Sequence, residues 1–179
     1  MKDLYFVRHG ESEFNKAGKW AGSTDTPLTK KGKLQAKQAG QLSKEQILKF
    51  DVIISSPLSR ARHTAKHIAD GVDYPVDKIL IDPKLVERNF GKLEGHRNLK
   101  ASAAYLVDES SIDKYGGESL VDMQKRADKF LEYLQSLPHN SILIVGHGSF
   151  GRALRRSINK EPLHHRGERY ANGKIIKLI

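Results

Sequence analysis

Four short apolar runs, at residues 4–7, 52–55, 79–81 and 142–145, limit what this chain can fold into. They are rich in Ile and Val and scarcely alternate with polar residues, as parallel strands covered on both faces do. Helical spacing fills the intervals. Residues 31–48 place Leu34, Ala39, Leu42 and Ile47 on an expected helix with Thr29 as N-cap. Residues 57–70 begin with Ser56 as cap and Pro57 at the first helical position. Residues 118–137 carry an apolar stripe of Leu120, Met123, Ala127, Phe130, Leu131 and Leu134, ended by Pro138. A further helix is expected over 149–158, and Asn172-Gly173 reads as a hairpin turn. Strands alternating with helices predict an α/β fold, a three-layer αβα sandwich around a mostly parallel central sheet.

A length of 179 residues suits a single domain over 1–179, with no repeat, low-complexity tract or linker to divide it. Cysteine is absent, which excludes disulfides, thiolate catalysis and cysteine-based zinc sites. The apolar run near the N-terminus is too short for a signal peptide and no stretch approaches a membrane span, so a cytoplasmic location is expected. A formal charge of +10 favours anionic partners: phosphate esters, nucleic acid or an acidic surface. Much of that excess, such as Lys30, Lys31, Lys33 and Lys37, has the spacing of a solvated helix face.

In parallel sheets, ligands bind beyond the carboxyl ends of the strands. The first run is followed by Arg8-His9-Gly10, the second by Ser56-Pro57-Leu58-Ser59-Arg60, the third by Glu87-Arg88 and the fourth by His147-Gly148. Two arginines can grip a phosphate dianion with charge-assisted bonds. Helix starts after Pro57 and Gly148 would add backbone N–H donors, and the glycines would let backbone approach the ligand. An imidazole among cations is pushed toward its neutral, nucleophilic form. A carboxylic acid nearby could then protonate the leaving alkoxide.

The same residues carry a family resemblance. Residues 6–15 (FVRHGESEFN), 22–32 (GSTDTPLTKKG), 55–61 (SSPLSRA), 85–91 (LVERNFG), 117–119 (GES) and 145–148 (VGHG) resemble, in order, the histidine phosphatase superfamily. The branch is that of cofactor-dependent phosphoglycerate mutases and their phosphatase relatives. The resemblance implies a phosphoglycerate mutase-like fold and assigns roles. His9 is the nucleophile that becomes phosphohistidine; Glu87 is the proton donor. Arg8, Arg60 and His147 hold the phosphate, with Asn15 as an additional contact and Gly148 beside them. No metal or organic cofactor is implied, because arginines supply the positive charge.

Departures from the mutase pattern point to hydrolysis. The chain is shorter than those mutases, and Ala21, Phe90 and Asn98 stand where they carry a hydroxyl residue, a tyrosine and a lysine. Losing polar groups removes substrate discrimination. Residues 92–116, with Leu99, Ala104, Tyr105, Leu106 and Ile112, are expected either to cap the pocket as a lid or to form an ordinary surface helix. Trp20 suits a pocket wall or a packing anchor equally. Arg88 and Arg97 could extend the phosphate field or be solvated; Arg152, Arg155 and Arg156 are expected to face solvent or pair locally. His63 and His67 stand four apart but lack a third ligand, and His164-His165-Arg166 reads as an exposed basic loop.

The expected function is therefore a metal-independent phosphatase acting on small phosphorylated metabolites, with no nucleic-acid or membrane partner. A phosphoglycerate mutase is the alternative, and a non-catalytic phosphate- or nucleic-acid-binding module a second.

Overall fold

The computed structural model describes residues 2–97, 109–165 and 167–179. Its elements run β1 (Asp3–Arg8), α1 (Glu13–Lys16), α2 (Lys30–Glu45), β2 (Val52–Ser55), α3 (Ser59–Gly71), β3 (Leu80–Ile81), α4 (Leu120–Ser136), β4 (Ser141–Gly146), α5 (Gly148–Asn159) and β5 (Ile175–Lys177). The five strands form one sheet in the order β3-β2-β4-β1-β5. Pairing is parallel from β3 to β1, and only β5 is antiparallel.

The near-continuous apolar character of the central strands has a direct structural cause. Successive residues of a strand point to opposite faces, and helices cover both. Leu4, Phe6, Ile54, Ile142 and Ile144 pack against Met123, Ala127, Phe130 and Leu134 of α4 and Phe150 and Leu154 of α5. Val7, Ile53, Leu143 and Val145 face the other way, onto Ala39 of α2 and Ala61, Ala65 and Ile68 of α3. The αβα sandwich is thus the arrangement that the residue pattern requires. The third apolar run departs from expectation. It forms a two-residue edge strand whose Leu80 and Ile81 are 42% and 47% exposed, because nothing pairs with or covers that edge among the described residues.

Three further expectations need correction. On α2 the buried face is Gly32, Ala36, Ala39, Gly40 and Ser43, whereas Leu34 and Leu42 are more than half exposed. Small residues let α2 and α3 approach closely, which outweighs the usual preference for burying large side chains. The helix ends at Glu45, and Ile47, at φ 57°, lies beyond it at 78% exposure. Next, α3 starts at Ser59, two residues later than Pro57 suggested, and Ser56 does not cap it. Finally, Asn172-Gly173 makes a turn, with Gly173 at φ 71°, but not a two-residue hairpin. Asn172 keeps a negative φ and bridges to Arg8, and the chain turns onto the edge of β1 as β5. Elsewhere Thr29 caps α2 through Gly32 N, and α4 carries its predicted stripe behind Ser119 as cap. No helix among the described residues is long and apolar enough to cross a membrane.

Candidate active site

Because β1, β2 and β4 are mutually parallel neighbours, their carboxyl ends bring Arg8-His9, Ser55-Ser56 and Gly146-His147 to one edge of the sheet. A cleft of about 510 Å³ opens there, within the size range of small-molecule sites. Arg8, His9, Asn15, Arg60, Glu87 and Gly148 line it. His147 does not; it is fully buried behind the wall, its ring centroid 5.1 Å from that of His9.

The tautomer of His9 follows from its environment. Its Nδ1 lies 2.7 Å from the carbonyl oxygen of Gly10. A carbonyl only accepts, so Nδ1 carries the proton and Nε2 keeps its lone pair. Burial, then the charges of Arg60 and Arg8, push His9 well below the usual imidazole range. His147 is lowered in the same way, by burial, Arg60, His9 and Arg8. Its Nε2 lies 2.8 Å from Ser56 Oγ, and its buried Nδ1 has no partner among the described residues. Ser56 Oγ also accepts from Leu58 N at 3.4 Å, ahead of the start of α3 at Ser59.

The two arginines are held differently. Arg8 donates through Nη1 to Tyr170 O at 3.1 Å, leaving its buried Nε without a partner. Arg60 is completely buried and donates to Thr24 O at 2.8 Å and Gly22 O at 2.7 Å, with Nε unpartnered. Burial lowers both guanidinium pKa values, and Glu87 opposes that fall most strongly. The loop that Arg60 grips is fixed from the other side by Glu94, which sequence reasoning missed. Its carboxylate accepts from Ser23 N (2.9 Å), Thr24 N (2.8 Å), Phe90 N (2.9 Å) and both hydroxyls of Ser23 and Thr24. Burial opposes its ionisation, but these donors together bring it below the usual carboxylate range. Glu94 and Ser23 are 71 positions apart, so no local pattern signals their contact.

Both helix starts expected to offer N–H groups to an anion already hold a carboxylate of the protein. Asp25 Oδ1 accepts from Ser59 N at 2.9 Å and caps α3. Glu87 accepts from Ser149 N and Phe150 N, each at 3.0 Å, and from Arg88 N at 2.9 Å. Helix N-termini favour negative charge, and here the chain supplies it. Of the two glycines, Gly148 lines the cleft as expected, whereas Gly10 acts otherwise. Gly10 does not line the cleft: a Cβ there would lie 2.2 Å from Gly32 O, so its bareness lets the loop after His9 pack on α2. A Cβ on Gly148 would meet nothing closer than Arg8 Nε at 3.6 Å.

Asn15 is the N3 residue of a capping box with Ser12. Its Oδ1 accepts from Ser12 N at 3.2 Å, and the residue lines the cleft. The C-terminal segment, read from sequence only as a turn, completes the site. Asn172 Nδ2 donates to His9 O at 2.7 Å, and Gly173 N donates to Arg8 O at 2.8 Å. Trp20 serves in both ways foreseen. It lines the cleft and packs on Phe90, with ring centroids 4.6 Å apart, above Ile112.

Arg88 is neither solvated nor in the cleft. It is fully buried and donates through Nε to Glu118 O at 2.8 Å. Arg97 is exposed. Arg155 pairs locally with Glu161 at 3.2 Å, and buried Arg156 donates to Gln124 at 2.8 Å. Arg152 pairs locally, as expected, donating to Ser149 Oγ at 3.3 Å, and it also lines the cleft, as do Lys19 and Arg169. His63 is exposed and His67 half-buried on α3; no group of three His, Asp or Glu placed to hold a metal occurs among the described residues. His164 and His165 are exposed. Asn98, Leu99, Ala104, Tyr105 and Leu106 of the expected lid, and Arg166, lie outside the described residues.

The family model of the histidine phosphatase superfamily (branch 1) matches residues 4–178. The chain belongs to that superfamily. Among its relatives in the superfamily are 2,3-bisphosphoglycerate-dependent phosphoglycerate mutases of Mesorhizobium japonicum and Brucella abortus. Each is 36% identical over 165 residues, covering 86% of this chain and 79% of the relative. Among solved superfamily structures, a phosphoserine phosphatase from Entamoeba histolytica in complex with 3-phosphoglyceric acid superimposes with a TM-score of 0.77. It is 30% identical, with 98% of this chain and 89% of that one covered. A mycobacterial glucosyl-3-phosphoglycerate phosphatase shares the fold at a TM-score of 0.81 and 24% identity, over 98% and 91% of the two chains. The chain's relatives thus include both mutases and phosphatases, which are phosphoryl-transfer enzymes.

Proposed function

We propose that this chain is a metal-independent phosphatase that hydrolyses small phosphomonoesters through a phosphohistidine on His9. The observation that carries the reading is the His9 tautomer: a bare Nε2 on a buried, neutral imidazole, beside two guanidinium groups with unused donors.

Arg8 and Arg60 bind the non-bridging oxygens, with the Asn15 amide as a further donor. His9 Nε2 attacks phosphorus; the N–P bond forms as the P–O ester bond breaks. An ionised carboxylate has about four lone-pair positions, and backbone N–H groups occupy three on Glu87. The fourth holds the proton that passes to the departing oxygen. In the second step water attacks phosphorus, gives its proton to Glu87, and the N–P bond breaks to return His9. The guanidinium charges stabilise the transferring group as a divalent cation would in other phosphoryl-transfer sites. With the Ser56 hydroxyl donating to His147 Nε2, the Nδ1 of His147 carries a proton that stabilises the same group.

Hydrolysis over mutase activity is supported by the cleft wall. Ala21 and Phe90, which stand where mutases carry polar groups, both line it. A buried site without those groups holds a released bisphosphate less firmly, so water completes the reaction. The 36% identity to mutases favours the second reading, a phosphoglycerate mutase. Incubation with 3-phosphoglycerate and a bisphosphate primer, in the presence of a chelator, separates them. Release of inorganic phosphate supports the phosphatase; accumulation of 2-phosphoglycerate without phosphate release supports the mutase.

A further inference from the structure

The His9 tautomer depends on the carbonyl of Gly10, which lies 2.7 Å from Nδ1. Glycine is the residue whose backbone is least able to hold one direction by itself. A side chain that would stiffen it is barred by Gly32 O. The direction of that carbonyl must therefore be fixed from outside the loop.

Two side chains grip the peptide unit between His9 and Gly10. At one end Asn172 Nδ2 donates to His9 O at 2.7 Å. At the other, Gly10 N donates to Thr64 Oγ1 at 3.0 Å. Thr64 is fully buried in α3, one turn beyond Arg60, on a helix that also buries Ala61, Ala65 and Ile68. Its hydroxyl donates in turn to Arg60 O at 2.7 Å. A bond to the carbonyl four residues earlier is ordinary for threonine in a helix. The bond from Gly10 is not. It joins positions 54 apart and satisfies a buried backbone N–H that has no other partner among the described residues.

The single proton of this hydroxyl is committed. Gly10 N–H only donates and Arg60 O only accepts, so the O–H points at Arg60 O and a lone pair faces Gly10. A chain of bonds thus ties α3, and with it Arg60, to the loop after His9. If Gly10 turned, Nδ1 would lose its acceptor and the proton would be free to move to Nε2. A protonated Nε2 has no lone pair with which to attack phosphorus.

We infer that Thr64 is a positioning residue: its hydroxyl holds the Gly10 backbone so that His9 keeps its proton on Nδ1 and presents a bare Nε2. This inference rests on the proposed phosphatase activity and adds a residue that does not line the cleft and acts through Gly10.

Two pairs of side chains that differ in the hydroxyl, threonine with valine and serine with alanine, provide the test in the full-length protein. In single turnovers of p-nitrophenyl phosphate, Thr64→Val and Thr64→Ala should each lower the limiting rate of p-nitrophenol release about tenfold. The half-saturating concentration should move less than about twofold. Thr64→Ser, which keeps the hydroxyl, should stay within about threefold of the wild-type rate. Ring ¹⁵N chemical shifts of His9 should place the proton on Nδ1 in the wild type and in Thr64→Ser, and share it between both nitrogens in the other two. A threonine that only packs would lower stability without moving that proton. Undiminished rates in the hydroxyl-free variants, an unmoved proton, or a Thr64→Ser as slow as Thr64→Val overturns the role. So does rapid deuterium exchange at the Gly10 amide of the wild type, a measurement that needs no variant to fold. Failure of the parent reading looks different: the wild type itself releases no p-nitrophenol, while the ring shifts still report on Thr64.

Discussion

Arg60 Nη2 donates to the carbonyl oxygen of Gly22 at 2.7 Å, joining the first turn of α3 to the loop that leads into α2. A fully buried guanidinium thus does two things at once. It holds the wall of the cleft together and presents positive charge to its floor.

Arg60→Lys tests that dual use. Lysine keeps the charge but cannot reach Gly22 and Thr24 together while serving a phosphate. Phosphatase kcat/KM should fall about 100-fold. Amide hydrogen exchange at residues 22–26 should quicken, which simple loss of a phosphate contact would not cause. Glu94→Gln should quicken exchange in the same loop, since its carboxylate supports that loop from the other side.

The architecture was legible in the sequence because its causes are local. Residues such as Ile53 and Ile54 must both be apolar if helices cover both faces of β2, and each strand exit then has to meet its neighbours. Four contacts were not legible. Asp25 with Ser59, Glu94 with Ser23, Asn172 with His9 and Glu87 with Ser149 join positions separated by 34 to 163 residues. Only the folded chain brings such partners together. The face of α2 was misjudged for another physical reason: close packing on α3 selects Ala36, Ala39 and Gly40, leaving Leu34 and Leu42 outside.

The depressed pKa values of His9 and His147 set a pH dependence of stability. Above about pH 6.5, the ordinary imidazole value, both rings are neutral whether the chain is folded or unfolded. As pH falls below that value the unfolded chain takes up protons and the folded one does not. Stability should therefore decline from pH 7 to pH 5. His67, lowered chiefly by burial, acts in the same direction. Urea denaturation at pH 7.5, 6 and 5 should show the decline, with a shallower slope in His9→Ala. A midpoint that is flat, or rises toward pH 5, would contradict buried neutral imidazoles.

Two glycines in the paired His-Gly motifs should differ in how much they tolerate a methyl group. Gly10→Ala places a methyl group against the Gly32 carbonyl and should cost about 3 kcal/mol in denaturant unfolding. Gly148→Ala meets only ordinary contacts and should change stability by less than about 1 kcal/mol.

Ser56→Ala leaves Nε2 of His147 without its partner in a buried setting. We expect a loss of about 1–3 kcal/mol in stability and about a tenfold drop in kcat. Steady-state kinetics with an aryl phosphate checks the second; an unchanged kcat would remove Ser56 from the positioning of His147.

The most direct trial of the central claim is to trap the phosphoenzyme. Protein mixed with ³²P-labelled substrate and quenched in alkali within milliseconds should carry label that is stable to base and lost in acid. Mass spectrometry should place that label on His9. Base-stable label on His9 in the wild type and none in His9→Ala is the predicted result. Rapid phosphate release with no labelled enzyme, or hydrolysis undiminished in His9→Ala, would contradict it.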